Sequence, residues 1–343
     1  MPNLKLSALN LVPIREGQTD KDAISDMVTL AQNLEDLDYE RYWIAEHHNA
    51  PNLVSSATAL LIQHTLEHTK RIRVGSGGIM LPNHAPLVVA EQFGTMETVF
   101  PDRVDLGLGR APGTDMMTAS ALRRDQHNGV YEFPEEVEQL ATYFGPGNKQ
   151  SYVRAYPAVD KNVPLYILGS STDSAHLAAR KGLPYVFAGH FAPQQMHEAM
   201  QIYKELFEPS EYLAEPYMIV CLNAIVAETD EQAEFLATTQ AQVMVSITRG
   251  RMQPVQPPTD DLQGILTPRE FELAKQRMEQ SLIGSEATVQ AKLEAFMKEH
   301  GDIDELMAIS YIYDQQEQLA SYKRLNNVIT IVNNSIYNNH KKQ

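Results

Sequence analysis

Four short stretches carry the residue types that can do chemistry. Glu46-His47-His48-Asn49 places a carboxylate beside two imidazoles. Neighbouring residues of an extended chain point to opposite faces, so His47 and His48 are poorly placed to chelate one metal. One of them can face a site as a general base or as a hydrogen-bonding group. Taken alone, a structural histidine bonded to a nearby loop is the ordinary reading. Gly75-Ser76-Gly77-Gly78 precedes Ile79-Met80-Leu81-Pro82-Asn83-His84, and Gly107-Leu108-Gly109-Arg110-Ala111-Pro112-Gly113 follows some 30 residues later. The second has G-x-G-x-x-x-G spacing, one residue longer than the dinucleotide fingerprint, and a proline where a helix would begin. Its glycines can serve a tight turn alone, but Arg110 is a fixed positive charge suited to phosphate. Finally, Gly169-Ser170-Ser171, with Ser174 one turn on, opens a helical pattern. A helix start offers free N–H groups to an anion, although serine is equally common there as a plain cap.

Two other patterns are set aside. His64-Thr65-Leu66-Glu67-His68 matches H-x-x-E-H, a zinc-protease pattern. It falls at the far end of a helix that leads away from the strand ends named above, so two surface histidines explain it better. No cysteine cluster supports a structural zinc, because the chain holds one cysteine, Cys221. That count also excludes an intrachain disulfide and suits a reducing compartment.

The remaining residues must position these stretches. Short apolar runs alternate with helical patterns: Leu4–Leu9, then Asp20–Leu37; Tyr42–Ala45, then a helix capped near Ser55-Ser56 and running to His68; Ile72–Leu81, then Leu87–Phe100. The alternation continues with Val104–Leu108 and a mostly helical Thr118–Phe144, Val163–Leu168 and Ser171–Lys181, Pro184–Ala188 and Gln194–Phe207. It ends with Tyr217–Val226 and Asp230–Ile247, then Leu306–Tyr313 and a closing helix over Leu319–Ile336. Eight strands, each followed by a helix, predict an α/β fold of the (β/α)8 TIM-barrel type, a single domain over residues 1–343. An open doubly wound sheet is the alternative. In a barrel the site lies at the carboxyl ends of the strands, where all four stretches fall.

Two segments break the pattern. Gly145–Asn162 is an excursion after the fourth helix, with the look of a small hairpin. Arg249–Pro268 follows the seventh strand and helix, has four prolines and few apolar anchors, and is expected to be mobile, as a lid or as a bare linker. The net charge of −16 makes nucleic acid and anionic membranes poor partners. Neither a signal sequence nor an apolar run of membrane-spanning length is present, so a soluble, cytoplasmic protein is expected.

Together these motifs resemble the bacterial luciferase-like flavin monooxygenase family. The matching stretches are Arg41–His48, Arg71–Pro82, Asp102–Arg110 and Tyr166–Ser171, with weaker likeness through Ile283–Val289. The resemblance implies a (β/α)8 barrel that binds FMN and often dimerises. By that likeness His47 matches the catalytic histidine, and Arg110 matches the arginine that binds the FMN phosphate. Ser170 and Ser171 match the phosphate-binding pair, with Ser174 a weaker member, and Gly77-Gly78 matches a cis peptide under the isoalloxazine ring. Ser170 departs from the luciferase itself, where that position is acidic.

The activity implied is oxygenation of a small organic substrate by reduced FMN and O2 through a C4a-peroxyflavin. NAD(P)H would reduce the flavin directly or through a partner flavin reductase. The alternatives are a deazaflavin-dependent hydride-transfer reductase and a non-catalytic flavin-binding protein.

Overall fold

The computed structural model describes residues 3–123 and 129–340. The first half runs β1 (Lys5–Asn10), α1 (Asp20–Asp36), β2 (Arg41–Ile44), α2 (Thr58–His68), β3 (Arg73–Met80), α3 (Pro86–Val99), β4 (Val104–Gly109), α4 (Met116–Leu122) and α5 (Gly129–Phe144). The second half runs β5 (Leu165–Gly169), α6 (Thr172–Lys181), β6 (Tyr185–Phe187), α7 (Met196–Glu205), β7 (Met218–Ala227), α8 (Asp230–Thr248), α9 (Leu262–Ile265), α10 (Pro268–Arg277), β8 (Leu282–Ser285), α11 (Glu286–His300), β9 (Glu305–Ile309) and α12 (Gln315–His340).

β1 through β7 pair in order and in parallel, β7 pairs with β9, and β9 returns to β1. Eight strands thus close into a (β/α)8 barrel. A ninth, β8, has no counterpart in the sequence reading. It pairs along the outer end of β7, from Ala224↔Leu282 to Ala227↔Ser285. The stretch read as one mostly helical run is divided: α4 ends before Arg123, whose backbone is extended, and residues 124–128 of that run lie outside the described residues.

Strand alternation sorts the side chains. Ala8, Tyr42, Ile44, Val74, Leu106 and Val220 point outward into the core shared with the helices. Leu9, Trp43, Ala45, Val186, Ile219, Cys221, Met307 and Ile309 point inward and fill the barrel. Above Arg73 and Asp105, the inward positions on β3 and β4 are Gly75, Gly77, Gly107 and Gly109. A Cβ built on Gly77 or on Gly107 would stand 3.2 Å from Trp43. These glycines therefore give the indole its space.

The lower, amino-terminal end of the barrel is closed by charge. Arg41 donates to Asp105 Oδ2 at 2.7 Å, to Glu305 Oε1 at 2.9 Å and to the Tyr166 hydroxyl at 2.7 Å. Arg73 reaches Asp105 Oδ1 at 2.6 Å, and Tyr217 donates to Glu305 Oε2 at 2.7 Å. Two guanidinium groups thus meet two carboxylates. Burial alone would raise the Asp105 carboxyl, but Arg41 and Arg73 hold it below the usual carboxylate range. Removing any one partner would leave an uncompensated buried charge.

Neither excursion has the form its composition implied. Residues 145–162 form turns rather than a hairpin: Gln150 Nε2 donates to the carbonyls of Tyr143 and Gly145, and the Tyr156–Pro157 bond is cis. Residues 249–268 are held at several points. Val255 is buried and exchanges backbone hydrogen bonds with Ile14 and Glu16. Thr239 and Gln242 of α8 bond the carbonyls of Gln256 and Pro257, and Leu266 is buried before the capping box of Thr267 and Glu270. The composition concealed these ties because most of them are made by backbone atoms.

Candidate active site

The alternation that buries Arg41, Trp43 and Ala45 inside the barrel continues past the end of β2. It brings His47 to the barrel mouth and turns Glu46 and His48 outward. Glu46 is fully buried. Its Oε1 accepts from His48 Nε2 at 2.7 Å and from His84 Nε2 at 2.8 Å, while Oε2 accepts from the Met80 backbone at 3.0 Å. Burial works against the charge, but the bonds from His48 and His84 outweigh it and hold the Glu46 carboxyl at about 2. Glu46 therefore ties the end of β2 to the β3–α3 connection and leaves His47 free of both neighbours.

Among the described residues, His47 Nδ1 is buried without a hydrogen-bond partner. Burial lowers the His47 pKa; Glu46 opposes that effect and His48 adds to it. Near it stands His190, which follows β6. Burial brings His190 down to about 4, a bond with the Cys221 backbone opposes this, and repulsion from His47 adds to it. Burial thus favours the uncharged form of both rings. The sequence places His190 after the sixth strand without signalling a role for it, and it gives no signal for His84; both pairings cross large stretches of chain.

The other half of the mouth comes from β3, β4 and β5. The Gly77–Gly78 peptide is cis. A Cβ on Gly78 would lie 2.8 Å from the Gly107 carbonyl oxygen, so the two strands approach too closely here for a side chain. Arg110, just beyond β4, points to the start of α6, where both Nη atoms lie 3.3 Å from Asp173 Oδ2. Ser171 is the N-cap of α6, but its side chain makes no capping bond. Ser170 beside it is half-buried. Ser174 is differently placed: it is buried, and its hydroxyl donates to the Ser171 carbonyl at 2.7 Å and shares a 2.9 Å bond with the Tyr185 hydroxyl.

The luciferase-like monooxygenase family profile matches residues 6–302. The chain belongs to that family. Among its relatives, the uncharacterized protein YddN of Bacillus subtilis is 45% identical over 329 residues, covering 96% of this chain and 97% of that protein. A luciferase-like monooxygenase of Escherichia coli K12 is 42% identical over 320 residues, covering 93% and 95%. The N-acetyl-S-alkylcysteine monooxygenase of B. subtilis is 32% identical over 254 residues, covering 72% and 75%. The crystal structure of apo-MsnO8 superposes with a TM-score of 0.85 at 31% identity, covering 95% and 98%. Two more distant structures share the fold. One is the oxygenating constituent of 3,6-diketocamphane monooxygenase in complex with FMN, with TM-score 0.70, 16% identity and coverage of 94% and 97%. The other is an F420-dependent secondary alcohol dehydrogenase, with TM-score 0.67, 14% identity and coverage of 96% and 99%.

Luciferase-like monooxygenases are enzymes, and the strand ends of this one carry groups that could hold a phosphate and a flat ring. The guanidinium of Arg110, the uncommitted Ser171 hydroxyl and the N–H groups opening α6 suit a phosphate. The bare Gly77–Gly78 backbone suits a flat ring. The Ser174 hydroxyl is engaged with the Ser171 carbonyl and the Tyr185 hydroxyl. His64 and His68 lie elsewhere: their rings pack 4.4 Å apart on the outer face of α2, and His68 Nδ1 bonds the His64 carbonyl. Among the described residues no helix is long and apolar enough to cross a membrane.

Proposed function

We propose that this protein is an FMN-dependent monooxygenase that uses reduced FMN and O2 to oxidise a small organic substrate. The observation that carries the reading is the placement of His47: its uncharged form favoured by burial, its Nδ1 unpartnered among the described residues, at a mouth whose opposite side is the Gly77–Gly78 backbone and the Arg110–α6 anion seat. Bound reduced FMN would supply the electrons that activate O2. Arg110, Ser170 and Ser171 would bind its phosphate, with Ser174 as their support, and Gly77 and Gly78 would carry its ring.

His47 would then hold or pass a proton beside the reacting atoms, a task for which an uncharged imidazole without a fixed partner is suited. The apolar lining from Leu9, Ala45, Leu168 and Ile309 would keep water from that proton traffic. The names of the relatives favour oxygenation over hydride transfer. A homodimer fits the exposed apolar side chains Leu60 on α2 and Val88 and Val99 on α3. Reduced flavin would come from a partner reductase or from direct reduction by NAD(P)H.

The test is an anaerobic titration with FMN, FAD and the deazaflavin F420, each oxidised and reduced, followed by admission of O2. Selective binding of reduced FMN and oxygen uptake that exceeds free FMNH2 oxidation in product yield are expected. Tighter binding of F420, with no oxygen consumed, would replace this reading by a hydride-transfer reductase.

A further inference from the structure

We infer that His47, His190 and Asn223 together form a subsite for an uncharged secondary amide on the substrate, with Asn223 Oδ1 receiving the amide N–H. This rests on the reading of the barrel mouth as the place where substrate is oxidised.

Three strands contribute. Alternation along β7, where Ile219 and Cys221 face inward, puts Asn223 on the inner face at the mouth. Its side chain is 2% exposed. Asn223 Nδ2 donates to the His190 carbonyl at 3.1 Å, which fixes the amide's orientation, since only the nitrogen can make that bond. Oδ1 is therefore a committed acceptor, and it is buried with no partner among the described residues. The His190 backbone N–H donates to the Cys221 carbonyl at 2.8 Å. His190 is thus pinned to β7 through both of its backbone polar groups.

His190 Nδ1 and His47 Nδ1 are likewise buried without partners among the described residues. The surroundings are apolar, with Cys221, Ile309 and Tyr311 in one cluster. His190 accepts from Asn223 and is close enough to His47 to feel its charge, so the three residues are neighbours. Buried polar atoms without partners cost stability, and three on neighbouring residues are more than packing requires.

Their chemistry narrows the ligand. Asn223 Oδ1 needs a donor. Each neutral imidazole nitrogen can donate or accept according to tautomer, so the pair can meet a carbonyl. A secondary amide carries both groups on adjacent atoms. A carboxylate has no donor for Asn223 and meets no formal positive charge among these three residues. An ester has the carbonyl and lacks the donor.

N-Hexylacetamide and hexyl acetate are therefore the probes, matched in length and differing in the N–H. Trp43, the one tryptophan of the chain, lies inside the barrel below His47, and its fluorescence reports binding. The amide should bind about tenfold tighter than the ester, the worth of one neutral hydrogen bond. Asn223→Leu should abolish that preference while leaving ester affinity near its original value. Circular dichroism checks that the variant is folded. Should it fail to fold, the side-chain amide shifts of Asn223 in the unaltered protein decide: they should move with the amide and not with the ester. Equal affinity for the two probes, with and without FMN, would overturn the subsite. So would a preference that survives in folded Asn223→Leu. If the preference holds but FMN does not bind, the cofactor reading alone falls.

Discussion

Arg110 and Asp173 meet at the head of α6, with both guanidinium Nη atoms 3.3 Å from a single carboxylate oxygen. Asp173 is therefore placed to compete with any phosphate for the same cation. Arg110→Ala should weaken FMN binding by ~1.5–3 kcal/mol, the usual worth of a hydrogen bond to a charged group. Asp173→Asn should act in the opposite sense and tighten FMN by ~0.5–1 kcal/mol, the scale of an exposed ion pair. Riboflavin, which has no phosphate, should respond to neither change. Equal losses for FMN and riboflavin in Arg110→Ala would make Arg110 a structural residue.

His47→Ala should leave FMN affinity within about twofold while turnover falls at least ~100-fold, the range of general acid–base catalysis. His68→Ala serves as the paired control and should change neither quantity. Rapid-mixing kinetics with reduced FMN and O2 measure both effects. Loss of activity in His68→Ala alone would reopen the H-x-x-E-H pattern.

Acid should destabilise the protein in two steps with separate origins. His190 titrates near 4 when folded, below its ordinary 6.5, so the unfolded chain takes the proton first as pH falls. Stability is then full above the ordinary value and declines as the pH drops toward 4, by about 1.4 kcal/mol for each pH unit crossed between the two values. Glu46, held at about 2 against an ordinary 4.5, contributes stability above 4.5 that is lost only at still lower pH. Urea midpoints at pH 7.5, 6 and 5 should fall steadily in the unaltered protein and less steeply in His190→Gln. Parallel slopes would show that His190 is not the group responsible.

The segment 249–268 should be open to protease at one arginine and guarded at the other. Arg249 is clamped by Glu270, with Nε and Nη2 at 2.7 and 2.8 Å from its two oxygens. Arg251 is exposed and makes no ion pair among the described residues. Trypsin should cut first after Arg251, and Glu270→Ala should bring the Arg249 site to a similar rate. Reduced FMN with substrate should slow both cuts if the segment closes over the mouth. Unchanged cutting would reduce it to a tethered connection.

The barrel was legible because its eight strands are apolar runs at regular intervals, each followed by a helical period. β8 was not: it is four residues long, includes Gly284, and among the described residues pairs only with the outer extension of β7. Within the site, local sequence identified the strand ends, because glycine, histidine and serine cluster there. Partners across the barrel were not legible. Glu46 finds His84 38 residues away, and Asn223 finds His190 33 residues back, through contacts that exist only once the sheet has closed. The double histidine shows the boundary clearly. Alternation separates His47 from His48 in the sequence, but only the inward stack of Arg41, Trp43 and Ala45 decides which of them enters the mouth.

The charged floor made by Arg41, Arg73, Asp105 and Glu305 has a kinetic consequence. With its lower end closed by charge and its interior filled by Leu9, Trp43, Ala45 and their neighbours, the barrel gives no passage, so whatever binds at the mouth must leave by the route it entered. Two molecules cannot queue through it in single file. Each product must vacate the opening before the next substrate can occupy it, so product inhibition should be competitive with substrate.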